Sequence, residues 1–201
     1  MESRARRRRV SKSAVDRRRE IMDAALAAFA EKGLVGTTVA DITVGAGVAK
    51  GTFYLYFDSK DHLVAALRER FVDELTEHAM PFLERMGRDD WWALADAVAE
   101  DMVDWTLDHR DSIAFLTQAY TPETHDLLAD ADRKLTMFLA SGLQAGAEAG
   151  VFQVTDPELT ASFLYNGIIY TVVQQIHSGT EVDRDHLVSA AKELGRKILA
   201  P

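Results

Sequence analysis

Residues 38–63 read TVADITVGAGVAKGTFYLYFDSKDHL, a stretch that divides into two short helices joined by a glycine turn and followed by the capped start of a third. The Thr38 hydroxyl can accept a backbone N–H while Asp41, three residues on, answers it, which makes a capping box. Val39, Ile42 and Ala46 then share one face and bury it. Gly47 supplies the positive φ that a tight turn needs, and Val48 returns the chain to the core. The second helix is expected over Lys50 to Tyr56. Phe53 and Phe57, four apart, face inward, which leaves Lys50, Gly51, Thr52, Tyr54, Leu55 and Tyr56 on or near the outward side.

Two features of that outward side run against ordinary helix chemistry. A glycine in the first turn gives up about 0.8–1 kcal/mol against alanine, so Gly51 calls either for close contact with another helix or for something external that approaches the backbone. Lys50 and Lys60 each stand in a first helical turn, where the macrodipole disfavours a cation by about 0.3–1 kcal/mol. A phosphate beside them would reverse the sign; the alternative is a pair of solvated lysines. Tyr54 and Tyr56 suit half-buried packing, which also leaves a hydroxyl free for phosphate. Together these residues point to DNA.

Residues from about Arg19 to Leu67, through IMDAALAAFAEKGLVGTTVADI and AGVAKGTFYLYFDSKDHLVAAL, resemble the DNA-binding domain of the TetR family of bacterial transcriptional regulators. The resemblance covers about a quarter of the chain. It implies that Lys50, Gly51 and Thr52 approach bases or adjacent phosphates, and that Thr38, Tyr54, Tyr56 and Lys60 hold the DNA backbone. Ala49 departs from the family, standing where a serine often caps the recognition helix, and so does Leu55, at a site often polar or aromatic. Leu55 could meet a thymine methyl group instead of a phosphate. Gly45 weakens the helix before the turn.

The net charge of −9 over 201 residues argues by itself against nucleic acid, but it is unevenly spread. Residues 1–70 hold 14 Lys and Arg against 9 Asp and Glu, and the remainder holds 9 against 23. A basic end can release counterions from DNA while the acidic body is kept away from it. Arg4 and Arg6 to Arg9 precede the first helix; this arm, residues 1–13, either tracks phosphates and enters a minor groove or stays a solvated tail. The absence of cysteine excludes thiolate zinc sites and disulfides. With no secretory segment and no long apolar run, a cytoplasmic location without membrane contact is expected.

Helical periodicity continues through nearly all of the remaining chain. Helices are expected over about Ala14–Lys32, ended by Gly33, from behind Ser59 to Pro81, over Trp91–His109 and Ser112–Tyr120, from Pro122 to about Ala149, from Asp156–Pro157 to His177 before Gly179, and over Asp183–Ala200. The fold class is therefore all-α, about nine helices. A three-helix DNA-binding domain (14–58) is followed by a larger helical domain (59–201) for ligand binding and dimerisation. Leu187, Ala191, Leu194 and Ile198 form a bundle-like seam. The preceding helix is apolar nearly all round, with Phe163, Ile169 and Val173 among its residues. Either these helices complete the monomer core or, as the resemblance implies, they pair with their copies in a four-helix interface. A two-fold homodimer suits a palindromic operator with half-site centres about 34–36 Å apart or slightly more.

The larger domain offers Trp92, Met102, Trp105, Phe115, Tyr120, Met137, Phe138, Tyr165, Asn166 and Tyr170 as candidate lining for an apolar or aromatic small-molecule effector, although such a stripe also serves as ordinary core. Asn166 stands out, since an amide in an apolar helix needs a partner. No enzyme motif is present: no Gly-x-Ser-x-Gly, no His-Glu-x-x-His, no phosphate-binding loop and no Glu-x-x-His. Neither a cofactor nor a metal is expected, and Glu100, Asp101, Asp104, Asp108 and Asp111 read as a solvated acidic ridge. The reading is a ligand-responsive transcriptional regulator, a repressor released from its operator when ligand tilts the helix behind Ser59. The alternatives are an activator, or a helical small-molecule binding protein that reads no DNA.

Overall fold

The computed structural model describes residues 13–178 and 181–200. The arginine arm and Gly179 lie outside the described residues. Among the described residues there are nine helices and no strand: α1 (Ala14–Gly36), α2 (Val39–Gly45), α3 (Lys50–Phe53), α4 (Lys60–Arg85), α5 (Trp91–Asp108), α6 (Arg110–Gln118), α7 (His125–Glu148), α8 (Pro157–His177) and α9 (Arg184–Leu199). The backbone separates into two compact units between Leu63 and Val64, inside α4.

In the first unit, α1 buries Ile21, Met22, Ala25 and Phe29 on one face. Its regular path breaks at Gly33, whose φ is 71°. The carbonyls released at the end of a helix need donors, and two side chains supply them. The buried Thr37 hydroxyl lies 3.0 Å from the Ala28 oxygen and 2.8 Å from that of Gly33. The Lys60 ammonium donates to the oxygens of Leu34 at 2.9 Å and Thr37 at 3.1 Å. Short α2 is held by the capping box, in which Asp41 N donates to Thr38 Oγ1 and Thr38 N to Asp41 Oδ2. Lys32 adds a 2.6 Å ion pair to the same carboxylate.

Those bonds from Lys32 and Thr38 hold the Asp41 carboxyl well below the usual carboxylate range. A depressed folded-state value stabilises above the unfolded pKa, about 4, and that contribution is lost as pH falls toward the folded value. Acid titration followed by circular dichroism is therefore expected to show stability falling below about pH 4, with Asp41→Asn less stable at neutral pH and flatter in its acid dependence. An unchanged acid profile in Asp41→Asn would show that the carboxylate adds nothing.

The second unit contains the rest of α4 and α5 to α9. Pro81, expected to end α4, stands inside it, and the helix continues to Arg85. A mid-helix proline costs about 3 kcal/mol, but the turn beyond it carries Phe82 and Leu83, half-buried apolar side chains whose packing offsets that cost. Helix α7 starts at His125 rather than at Pro122. Buried Thr124 instead closes a turn, accepting from Thr121 N and donating to the Ala119 oxygen. Gly146 in α7 accommodates the Phe152 ring, since a Cβ there would stand 2.1 Å from a ring carbon. Val103, Val172, Leu187 and Val188 form a core cluster where α5, α8 and α9 meet.

The acidic ridge is part-exposed, and several of its carboxylates are also ion-paired. Arg184 pairs with Asp104 at 2.6 Å and Glu100 at 3.0 Å, Lys192 with Glu100 at 2.5 Å, and Asp101 with His78 at 2.9 Å. Opposite charges thus face one another across α5 and α9. Asp96 and Arg196 extend the row at 2.7 Å.

Candidate nucleic-acid interface and effector cavity

Between α2 and α3 the chain reverses with Gly47 at φ 63°, and Ala46 N and Val48 N donate back to the Ile42 and Thr43 oxygens at 2.9 and 3.0 Å. The regular part of α3 stops at Phe53, three residues short of the expected end. It continues as tighter turns, with Leu55 N on Thr52 O at 3.2 Å and Tyr56 N on Phe53 O at 2.9 Å. The sequence explains the shortness: Ala49 gives α3 no side-chain cap, Gly51 weakens it, and Ser59 already caps the next helix by accepting from His62 N. The anchor is Phe53, fully buried, its ring 5.6 Å from that of Phe57. Arg18 from α1 lies over Phe57 at 5.2 Å.

Around that anchor, Lys50, Gly51, Tyr54 and Leu55 are exposed and Thr52 and Tyr56 half-buried, with Leu55 at 81%. A Cβ built on Gly51 meets nothing within 4 Å. Contact with another helix of this unit therefore does not explain the glycine, which stays available for an external surface. Lys60 is placed differently from Lys50. With two of its three N–H donors spent on backbone oxygens, it retains one for a phosphate. Thr38 is exposed, but its hydroxyl is engaged with Asp41 at 2.6 Å.

Within the second unit, α4, α5, α7, α8 and α9 enclose a cavity of about 150 Å³. Of the ten residues anticipated as its lining, Met102, Phe138 and Tyr165 form part of the wall. The other seven are placed elsewhere. Trp92 packs edge-on to Phe152 beneath Arg196, Trp105 stacks on His109 with centroids 3.8 Å apart, and Phe115 is in the core. Tyr120 donates to Asp132 at 2.7 Å, and Met137, Asn166 and Tyr170 are exposed. Asn166 finds its partner locally, donating to the Ser162 oxygen at 2.9 Å. Sequence reasoning missed the Leu75, Phe82, Leu83 and Met86 wall and the Leu139 and Leu143 wall. Helical spacing marks Leu75, Leu139 and Leu143 as inward, a signal that is the same for a core and for a cavity, whereas Phe82, Leu83 and Met86 lie beyond Pro81, where the helix was expected to end.

Helices α8 and α9 also carry an exposed apolar face. Phe163 is 69% exposed, and Leu159, Tyr170, Leu194 and Ile198 are exposed as well. Leu159, Phe163 and Tyr170 share one stripe by their four- and seven-residue spacing. Ile169, Val173 and Leu187, anticipated at the same interface, are instead buried within the unit, and Ala191 is half-buried in the cavity wall. An apolar helix has a side for each neighbour, and these residues lie on the side that its own unit takes.

A short helix anchored by phenylalanine after a glycine turn, leaving a glycine- and lysine-bearing face open, defines a helix-turn-helix protein. Residues 21–67 match the family described as bacterial regulatory proteins, tetR family. The chain is similar to YvdT of Bacillus subtilis (strain 168), described as an uncharacterized HTH-type transcriptional regulator, with 35% identity over 94 residues, 47% of each chain. It is 45% identical over 67 residues to the repressor KstR2 of Mycobacterium tuberculosis (strain ATCC 25618 / H37Rv), 33% of this chain and 34% of that one. Matches to these curated relatives span about half or less of their length. The fold resembles that of FadR from Bacillus subtilis, solved in complex with stearoyl-CoA, with TM-score 0.73, 23% identity and coverage of 88% of this chain and 96% of that one. FadR from Bacillus halodurans gives TM-score 0.74 at 22% identity, covering 92% and 96%.

Proposed function

We propose that the chain is a ligand-responsive transcriptional repressor, cytoplasmic and without catalytic activity. As a homodimer it presses the outer surface of α3 into two major grooves of a palindromic operator. The observation that carries this reading is the open face of α3. Lys50, Gly51, Tyr54 and Leu55 have been left to solvent around a completely buried Phe53, and no side chain of the protein approaches Gly51. Lys50, Thr52, Tyr56, Thr38 and the remaining donor of Lys60 are assigned to phosphates or adjacent base edges, and Leu55 to a thymine methyl group. An effector in the cavity acts through α4, a helix with residues in both units, so effector and operator weaken each other's binding equally. That KstR2 is a repressor and that FadR was solved with an acyl-CoA support this reading.

The test is a titration of labelled duplex from upstream of the chain's own gene. Saturable binding that survives excess nonspecific competitor is the expected result, and binding that vanishes equally from every duplex as salt rises contradicts it. The exposed stripe of α8 and α9 is assigned to the partner subunit. Phe163→Glu is therefore expected to give a folded monomer by light scattering, with operator affinity reduced by tenfold or more. A dimer unaffected by the change places the interface elsewhere.

A further inference from the structure

The cavity's wall is hydrocarbon except in a few places, and each of its charged members already has a partner. Asp96 is paired with Arg196, Asp101 bonds to His78, and Lys192 is paired with Glu100. The Tyr165 ring belongs to the wall, but its hydroxyl is buried beside Arg68 and closed to a ligand. A polar ligand therefore gives up its bonds to water and meets only groups engaged elsewhere, and a charged one has to separate an existing pair. An apolar cavity of about 150 Å³ stays dry and takes up a benzene-sized molecule, and this one has that volume.

One border of that volume is a single flexible side chain. Met86 stands in the turn just beyond α4, next to Gly87 at φ 73°, and both Met86 and Leu83 lie against Gly142 of α7. All three line the cavity. A Cβ on buried Gly142 would stand 2.6 Å from the Met86 terminal methyl, so the glycine is the seat that lets this side chain lie back against α7. Unbranched and polarizable, a methionine adjusts to a ligand's outline. Resting on the regulator reading above, we infer that the cavity takes a compact, uncharged hydrocarbon on the scale of one aromatic ring, held by shape and apolar contact without a hydrogen bond, and that Met86 seated on Gly142 limits its size.

Isothermal titration of the full chain with toluene, phenol and benzoate tests the ligand class, since the three share one ring. Toluene is expected to bind, phenol, nearly its isostere, about tenfold more weakly or worse, and benzoate not measurably. Phenol or benzoate binding as well as toluene overturns the proposal, and so does binding by none of the three. Gly142→Ala displaces the Met86 methyl, and toluene is expected to bind that variant about tenfold more weakly. Adding Met86→Ala removes the displaced group, which should restore toluene and admit naphthalene, a ligand the parent takes more weakly than toluene. A Gly142→Ala protein that binds toluene as the parent does, or a double variant that stays impaired, overturns the size limit. The operator titration is a separate reading: toluene binding that leaves operator affinity untouched counts against the regulator and leaves the ligand class intact.

Discussion

Gly51→Glu is expected to abolish operator binding while leaving the protein at least as stable as the parent. Both halves follow from one geometric fact, that a side chain at this position points into open space. Within the chain nothing has to move, and replacing glycine in a helix gains up to about 0.5–1 kcal/mol. An acidic group in a first helical turn also interacts favourably with the macrodipole. Against DNA the same side chain inserts bulk where the backbone must come close, and adds negative charge beside phosphates. The expected loss is about a hundredfold or more in affinity, since repulsion of like charges at an interface costs several kcal/mol. Thermal melts and anisotropy titrations on the same preparation read the two effects separately. A variant that still binds operator would remove α3 from the interface. One that loses stability and binding together would show that Gly51 serves the fold.

The second large effect is expected at Phe53, and there stability and function fall together. Its ring is completely buried and contacts Phe57 at a centroid distance of 5.6 Å and Tyr54 edge-on at 5.3 Å. Truncating a buried phenylalanine to alanine costs about 3–5 kcal/mol, a large part of the stability of any small domain. Helix α3 has only four regular residues and no side-chain cap, so local propensity cannot replace the lost anchor. Phe53→Ala is therefore expected to melt at a markedly lower temperature and to lose operator binding. Phe53→Leu, which keeps most of the volume, should cost less than about 1.5 kcal/mol and retain binding. If alanine and leucine were equally tolerated, packing beneath α3 would not be what positions it.

The helix-turn-helix was legible because its signals are local. A capping box, a positive-φ glycine and two phenylalanines four apart each constrain a few neighbouring residues, and Thr38, Gly47 and Phe53 occupy those roles in the structure. The end of α3 was less legible because its cause is a balance between a missing cap and the nearby start of the next helix. Pro81 misled for a related reason: its effect on the backbone is local, whereas the packing of Phe82 and Leu83 that outweighs it is tertiary. Lys60 looked like Lys50 in sequence, each standing in a first helical turn. Only folding brings the oxygens of Leu34 and Thr37 to its ammonium.

The cavity was the least legible part. Periodicity identifies which side of a helix is inward, yet a residue that fills the core and one that borders an empty volume have the same spacing. Phe115 and Phe138 illustrate the point, one packed in the core and the other in the wall. The exposed stripe on α8 was visible only as an excess of apolar residues around the helix. Which of them belong to the unit's own interior, as Val172 does, and which remain outside, as Phe163 does, depends on where α5, α7 and α9 pack.

Methylation protection of guanine N7 on the operator tests the placement of α3 most directly, because that atom lies in the major groove. Two protected patches are expected, with centres about 34–36 Å apart along the duplex or slightly more, and Gly51→Glu should erase both. Reactive guanines throughout a duplex that the protein has saturated would mean that α3 does not enter the major groove.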